Sequence, residues 1–347
     1  MSSFKTVFLT ISKWLGLFYL SRRLTRPGVR ILCYHAFSTD GDECDFRPKL
    51  FMRCSTFQKR LQALHSAGYP VITLDAALQG LAGGNLPACA TVITIDDGFP
   101  SVYRCAGEAL SRYKYPATVY VTSYYSVKQN PVFRLLVQYL LWKTSAISVA
   151  VPESLRPLQG TFSLASKQEK SDAADEIIRV GQEQCSEQQR LSLVQGLARL
   201  LEVDLGRILT ERVFHVMNRE ELVAAAAKGL DVQLHTHRHR FPEESGAAAR
   251  EIRDNRAVLE PIAGKPLRHF CYPSGVWSKN HWPVLAREGI KSATTSAPGL
   301  NFPGAAPYGL LRVLDSEDVT QIEFEAEMAG FAELLRRIRR KSRAPSA

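Results

Sequence analysis

Thr91-Val92-Ile93-Thr94-Ile95-Asp96-Asp97-Gly98 is the stretch on which the fold turns. Five strand-forming residues, rich in β-branched side chains, run directly into two adjacent carboxylates and a glycine. Such a short apolar run reads as a buried strand, and Gly98 lets the chain turn sharply after it. Neighbouring side chains at the end of a strand point in different directions. One carboxylate could therefore hold a metal while the other faces a reacting group. Two buried adjacent carboxylates repel, so something must offset that cost. From this segment alone, a solvated pair of loop aspartates fits equally well.

A second cluster decides between the two. Leu230-Asp231-Val232-Gln233-Leu234 reads as another short strand, followed by His235-Thr236-His237-Arg238-His239. His235 and His239 are four residues apart, so one turn of helix or a tight loop brings both imidazoles to one side. Two histidines and one carboxylate form a familiar three-ligand set for catalytic zinc, with a position left for water. His237 would point elsewhere, as a supporting or exposed histidine. Three of the eight histidines fall within these five residues, which argues against a surface accident.

These motifs resemble those of the polysaccharide deacetylases with the NodB homology domain (carbohydrate esterase family 4). The T-F-D-D-G motif of that family stands here as Thr94-Ile95-Asp96-Asp97-Gly98, and its H-[S/T]-x-x-H motif as His235-Thr236-His237-Arg238-His239. Ile31-Leu32-Cys33-Tyr34-His35 is similar to the family's opening strand, Pro116–Val121 to the strand after the first motif, and His269–Gly275 to the third motif. Thr294-Thr295 to Gly299-Leu300-Asn301 resembles a later loop, so the resemblance spans about residues 29–315. It implies a distorted (β/α)7 barrel of the glycoside hydrolase and deacetylase type. It further implies a divalent metal, zinc before others, on Asp97, His235 and His239, with Asp96 as catalytic base.

Two departures stand out. Many members carry an arginine in F-R-x-P-x-G that orients the catalytic aspartate; Cys271 occupies that place here. The late L-x-x-x-H-D motif, which supplies a general acid, is not visible near Leu310-Leu311-Arg312-Val313. His35 is the substitute acid that the Tyr-His pair suggests. Tyr272, Pro273 and Ser274 are the candidate substrate-binding residues, with a backbone N–H near Tyr272–Gly275 as an oxyanion donor.

The reaction so implied removes an N-acetyl group from an amino sugar of a polysaccharide or lipid-linked glycan. An amide carbonyl is a poor electrophile; a divalent metal polarises it and lowers the pKa of water, while Asp96 accepts the proton. The alternative is a catalytically weakened barrel that binds glycan without cutting it, suggested by the two departures.

The rest of the chain sets the context. Its 347 residues, 45% hydrophobic and 22% charged, suit a folded protein with one large α/β barrel or two smaller domains. Strand-like runs at 30–34, 71–74, 91–95, 117–122, 230–234, 268–272, 291–295 and 310–313 alternate with helix-like runs at 55–67, 75–83, 101–113, 218–228, 245–262 and 279–288. Alternation of this kind implies a parallel sheet with helical crossovers and chemistry at the C-terminal strand ends. Ser55 and Asp75 read as helix N-caps, and Gly68 and Gly229 as stops. The barrel domain is expected over 29–320. Residues 127–216 show no convincing strand and read as a helical insertion over or beside the barrel mouth, either a lid or lipid-facing wall for a large substrate or a peripheral cap.

The net charge of +10 is concentrated at the ends. Residues 1–30 and 336–347 each hold six cations and no acid, which leaves the body between them slightly acidic. No aromatic–basic motif accompanies the tails, so nucleic acid is not an expected partner. Residues 1–28 read as a basic amphipathic helix: Phe4, Val7, Phe8, Ile11, Leu15 and Phe18 follow helical spacing, with Lys5 and Lys13 off the stripe. The run is short for a membrane span and carries no cleavage-site pattern. It suits a helix lying on an anionic membrane surface or one packed on the barrel. Residues 321–347 make a C-terminal helix and basic tail, with Met328, Phe331, Leu335 and Ile338 as its stripe. Seven scattered cysteines without C-x-x-C favour free thiols and a reducing compartment. The expected location is thus cytoplasmic, peripheral on the inner face of the membrane, with periplasmic or secreted as the alternative.

Overall fold

The computed structural model describes residues 2–39, 41–83 and 85–343. Two compact units emerge, residues 1–124 with 219–347, and residues 125–218.

The first unit is built on a closed barrel of seven parallel strands: β1 Arg30–Tyr34, β2 Thr91–Ile95, β3 Ala117–Val121, β4 Leu230–Leu234, β5 His269–Cys271, β6 Ser292–Pro298 and β7 Leu310–Leu314. Around the barrel they run β1-β7-β6-β5-β4-β3-β2, and β2 closes on β1 in unbroken register from Arg30 beside Thr91 to Tyr34 beside Ile95. This is the (β/α)7 architecture that the resemblance implied, and the parallel sheet that the alternating pattern predicted. The distortion falls between β6 and β7, where the register shifts between Thr294 and Pro298. Strands β1, β2 and β3 are buried along their whole length, as parallel strands covered on both faces must be.

Residues 71–74, expected as a strand, do not form one. Val71 makes a single bridge to Thr91, and Leu74 already opens the helix Leu74–Gly83. A short β-branched run cannot be told from a strand by pattern alone. The caps also shift. Cys54, not Ser55, begins the helix Cys54–Ser66, and Thr73 rather than Asp75 accepts a hydrogen bond from the Ala76 amide. Gly68 and Gly229 both take positive φ at helix ends. Cys54 and Cys105, expected as free thiols, are joined in a disulfide, while the other five cysteines are buried thiols. The pair lies 51 residues apart in sequence, a separation with no motif to announce it.

Two helices rather than one precede β1. Helix α1 covers Ser2–Trp14 and α2 covers Leu17–Leu24, broken at Gly16 with φ 76°. The stripe expected on one helix is thereby divided: Phe18 turns inward against Phe331, at 5.2 Å between ring centroids, while most of the other stripe residues stay exposed. The C-terminal segment likewise forms two helices, Gln321–Met328 and Phe331–Arg343, with Gly330 at φ 73° between them. Leu9, Phe18, Ala326, Ala329 and Phe331 form their shared core. Arg30, wholly buried at the start of β1, ties this layer to the barrel. Its guanidinium donates to the carbonyls of Met328 and Thr25 and to Thr25 Oγ1. Burial lowers its pKa, but carbonyl acceptors satisfy a charge that has no carboxylate partner among the described residues. Of the basic tail, the side chains of Arg340, Lys341 and Arg343 and all of residues 344–347 lie outside the described residues.

The second unit is mainly helical, with Phe133–Lys143, Lys167–Gln184 and Glu187–Leu200 packed around Leu136, Leu140, Ile177, Val194 and Leu197. Ser166 with Glu169, and Ser186 with Gln189, form capping boxes at the starts of the second and third helices. One correction is needed to the strand-free reading of this segment. Ser148–Ala150 and Thr161–Ser163 pair as a small antiparallel sheet, too short for its pattern to be recognised.

Candidate active site

Both sequence clusters emerge at the C-terminal ends of barrel strands. Asp96 follows β2 and Asp97 follows Asp96 into the turn, with φ of 68° at Asp97 and 84° at Gly98. A Cβ on Gly98 would stand 3.0 Å from Val121 Cγ1, so the turn requires glycine both for its conformation and for the close approach of β3. The left-handed backbone at Asp97 sends the second carboxylate away from the first.

Asp97 Oδ1 lies 3.2 Å from His235 Nε2 and 3.2 Å from His239 Nε2. All three donor atoms fall within 4.8 Å of one another. His235 is fixed from behind: its Nδ1 donates to the Cys271 carbonyl at 2.8 Å, which turns Nε2 toward the cluster. Burial raises the Asp97 pKa, but hydrogen bonds from the two imidazoles outweigh it and hold the carboxyl well below the usual range. Two imidazole nitrogens and an ionised carboxylate suit a borderline divalent ion such as zinc.

The histidine loop is braced by residues that no motif announced. Thr236 and His239 both take positive φ, at 64° and 55°. Thr236 Oγ1 accepts from the Arg240 amide. Asn255, fully buried on the helix Ser245–Ala263, accepts from the His235 amide and donates to the Val121 carbonyl and Ser123 Oγ. Glu251 on the same helix accepts from the Arg238 amide. His237 turns aside, with its Nδ1 2.8 Å from Ser123 Oγ.

Asp96 has a different environment. It is 3% exposed, and Arg312 of β7 holds it with two parallel hydrogen bonds, Nη1 to Oδ1 at 2.7 Å and Nη2 to Oδ2 at 2.8 Å. Arg312 is itself buried and donates from Nε to the Thr295 carbonyl. Burial would raise the Asp96 pKa; the charge and hydrogen bonds of Arg312 prevail and lower it to about 2. Cys271, in the place where an arginine was sought, puts its Sγ 3.4 Å from both Asp96 Oδ2 and Arg312 Nη2. The guanidinium thus comes from β7 rather than β5, and Cys271 leaves room for it. His35 follows β1 and brings Nε2 to 3.9 Å from Asp96 Oδ2. Its neighbour Tyr34 donates to Asp315, which also accepts from Arg60, in a buried network at the same strand ends.

His35, Asp96, Asp97, His235, His239 and Arg312 line a cavity of about 1070 Å³. Tyr272 and Ser274 contribute to its wall, whereas Pro273 is buried and does not. The Tyr272 hydroxyl is already committed to the Tyr308 carbonyl, so Tyr272 offers the cavity its ring.

Comparisons with known proteins bear on the fold that carries these groups. Residues 208–293 match the family model described as Polysaccharide deacetylase. That segment contains the histidine loop and Tyr272–Gly275 but not the aspartate pair. No curated protein sequence matches the chain. Among solved structures, the Streptococcus pyogenes deacetylase PplD in complex with acetate superposes with a TM-score of 0.58 at 16% identity, covering 88% of this chain and 99% of that one. IcaB from Ammonifex degensii gives 0.55 at 20% identity over 87% and 97%. A de-N-acetylase from Aggregatibacter actinomycetemcomitans gives 0.55 at 13% identity over 86% and 99%. At such identities the likeness speaks for the fold. The class is set: a (β/α)7 barrel of the deacetylase type. The resemblance to the polysaccharide deacetylases holds in sequence over residues 208–293 and in fold over most of the chain.

Proposed function

We propose that the protein is a metal-dependent carbohydrate deacetylase that hydrolyses the N-acetyl group of an amino sugar in a polysaccharide or lipid-linked glycan. The observation that carries this reading is the division of labour between the two aspartates. Asp97 faces His235 and His239, while Asp96 is turned toward Arg312 and His35.

Asp97, His235 and His239 would hold a divalent ion, zinc being the one the donor set favours. When bound, such an ion supplies electrophilic polarisation and a lowered pKa for water. The chain's own residues do the rest. Asp96, kept ionised by Arg312, accepts the proton of the attacking water. The Arg312 fork fixes the plane of that carboxylate so that it need not reorient during the reaction. His35, within reach of the same carboxylate, delivers a proton to the departing amine. For the oxyanion, the Tyr272 and Gly275 amides are engaged by the Thr294 and Tyr272 carbonyls and Pro273 has no N–H, which leaves the Ser274 amide as the donor of that segment. The wall formed by Tyr272 and Ser274 receives the sugar.

A glycan-binding barrel without turnover was motivated by the missing arginine. Arg312 removes much of that motive. The free-thiol argument for a cytoplasmic setting also loses ground, because Cys54 and Cys105 are paired. The location we propose is peripheral at a membrane, with no preference of face drawn from the cysteines.

The test is acetate release from N-acetylhexosamine oligosaccharides by the full chain, with and without chelator. Release that stops on chelation and returns with metal is the expected result. Asp96→Asn should keep its metal and lose turnover. Metal-loaded protein that binds the oligosaccharide yet releases no acetate would replace the hydrolase reading with the binding one.

A further inference from the structure

Helices α1 and α2 present their apolar side outward. A helix that docks on a protein normally covers its apolar stripe. On α1 the buried residues are Leu9 and Ser12, while Lys5 and Lys13 reach inward to Glu323 and Glu325 at 2.5 Å each. The opposite side carries Phe4, Val7, Ile11, Trp14 and Leu15 at helical spacing, with Phe4 82% and Trp14 91% exposed. Tyr19, Leu20 and Leu24 extend this surface along α2. Isolated exposed apolar residues are ordinary, but a whole helical face of them marks a binding surface.

Charge selects the occupant. Of the six cations in residues 1–30, Lys5 and Lys13 are paired with Glu323 and Glu325 and Arg30 is buried, but Arg23 and Arg26 stand exposed at the end of α2. An apolar face containing tryptophan and tyrosine, flanked by basic side chains, matches the interface of an anionic bilayer. No helix among the described residues is long and apolar enough to cross a membrane, so the helices would lie on the surface. The layer is held firmly: Arg30 bonds α2's last turn and the C-terminal helices to β1, so whatever α1 and α2 bind is fixed relative to the barrel.

The cavity supplies the second observation. The wall that begins at Asp97, His235 and His239 continues to Lys5 and Phe8 of α1 and to Arg336 and Arg339 of the helix Phe331–Arg343. One end of the reaction cavity therefore runs along the inner side of α1, where Lys5 is paired with Glu323 and Arg336 with Glu327. We propose that α1 and α2 seat the protein on an anionic lipid bilayer, and that the substrate is an amino sugar carried by a membrane lipid, entering along α1 and Phe331–Arg343. The substrate half of this statement rests on the deacetylase reading; the docking half does not.

Sedimentation of the full chain with vesicles tests the docking without any turnover. Vesicles of phosphatidylcholine alone are compared with vesicles of phosphatidylcholine mixed with phosphatidylglycerol. The wild-type chain should favour the anionic vesicles by about tenfold or more. The triple variant Val7→Gln, Ile11→Gln, Trp14→Gln should lose at least about tenfold in binding, and Arg23→Gln with Arg26→Gln should weaken only the preference for anionic vesicles. The triple variant should release acetate from a soluble N-acetylated oligosaccharide as the wild type does, but more slowly from a lipid-phosphate-linked N-acetylhexosamine in vesicles. Wild-type protein that stays in the supernatant with both vesicles would overturn the docking. So would a dimer that the triple variant converts to monomers, since a second copy would then cover the face. Vesicle binding with no acetate release from any substrate would sink the deacetylase reading and leave the docking intact. A triple variant that matches the wild-type rate on the vesicle-borne substrate would overturn the substrate half alone.

Discussion

Replacing Arg312 with methionine probes the Asp96 pair directly, because methionine keeps much of the side-chain length and removes the guanidinium. Asp96 would then retain the Cys33 and Cys271 sulfurs, His35 at 3.9 Å and His235 within 4.8 Å as near neighbours. In the native protein its pKa is about 2 against an ordinary 3.8. At 1.36 kcal/mol per pH unit this is on the order of 2 kcal/mol in favour of the ionised form. The folded value lies below the unfolded one, so this stability is present above about pH 4 and is lost as the pH falls through about 2. Without Arg312, burial dominates, and at neutral pH the fold must hold an unpaired charge or take up a proton. Removing one partner of such a buried pair costs about 3–5 kcal/mol. Urea denaturation at pH 7 with metal chelated, so that ligand binding does not mask the loss, should show that drop. In an Asp96→Asn background the same substitution should cost less by about 2 kcal/mol, and the gap between wild type and Arg312→Met should narrow below pH 4. An Arg312→Met protein within about 0.5 kcal/mol of wild type, or strict additivity in the double variant, would refute the reasoning.

Three other outcomes follow from the site. His239→Ala should weaken zinc binding by more than about 100-fold, since even outer partners of a ligand are worth 10- to 100-fold; isothermal titration measures it, and unchanged affinity would remove His239 from the ligand set. His35→Gln should keep its metal and lose about 10²–10⁴ in kcat, with undiminished kcat showing that the proton comes from elsewhere. Gly98→Ala puts a side chain at φ 84° and 3.0 Å from Val121, so thermal melts should report a loss of about 1–3 kcal/mol. A melt unchanged from wild type would show that the turn tolerates a Cβ.

Much of the barrel was legible because parallel strands buried on both faces leave compact β-branched runs between helical patterns. That rule misled at Val71-Ile72-Thr73, where the same composition makes a single bridge. The cluster around Asp97 was readable because its residues come in two contiguous motifs. Arg312 was not, because its partner is 216 residues away and its role is defined only by the neighbourhood of β7 and β2 across β1. A signal did exist: a lone arginine inside Leu310–Leu314, a strand otherwise made of leucine and valine, must find an anion or carbonyls when buried. Asn255 and Glu251 gave no such signal, since polar residues on an amphipathic helix usually face water. The outward face of α1 was hidden for the opposite reason. Spacing reveals a stripe but not which way it turns, and the ion pairs of Lys5 and Lys13 settled that.

The origin of Arg312 in the last barrel strand has a consequence for the order in which the molecule is made. A ribosome delivers Asp96, Asp97 and the histidine loop early, and a growing chain could gather all three ion-binding side chains once it has passed His239. The partner of Asp96 emerges only with β7, more than seventy residues later, and β7 is also the strand that completes the ring between β6 and β1. Closure of the ring and arming of the base are then a single event. A nascent or C-terminally clipped chain could hold an ion, yet it would lack the guanidinium that keeps its base ionised. On the proposed reading, hydrolytic competence would wait until translation of the barrel is finished.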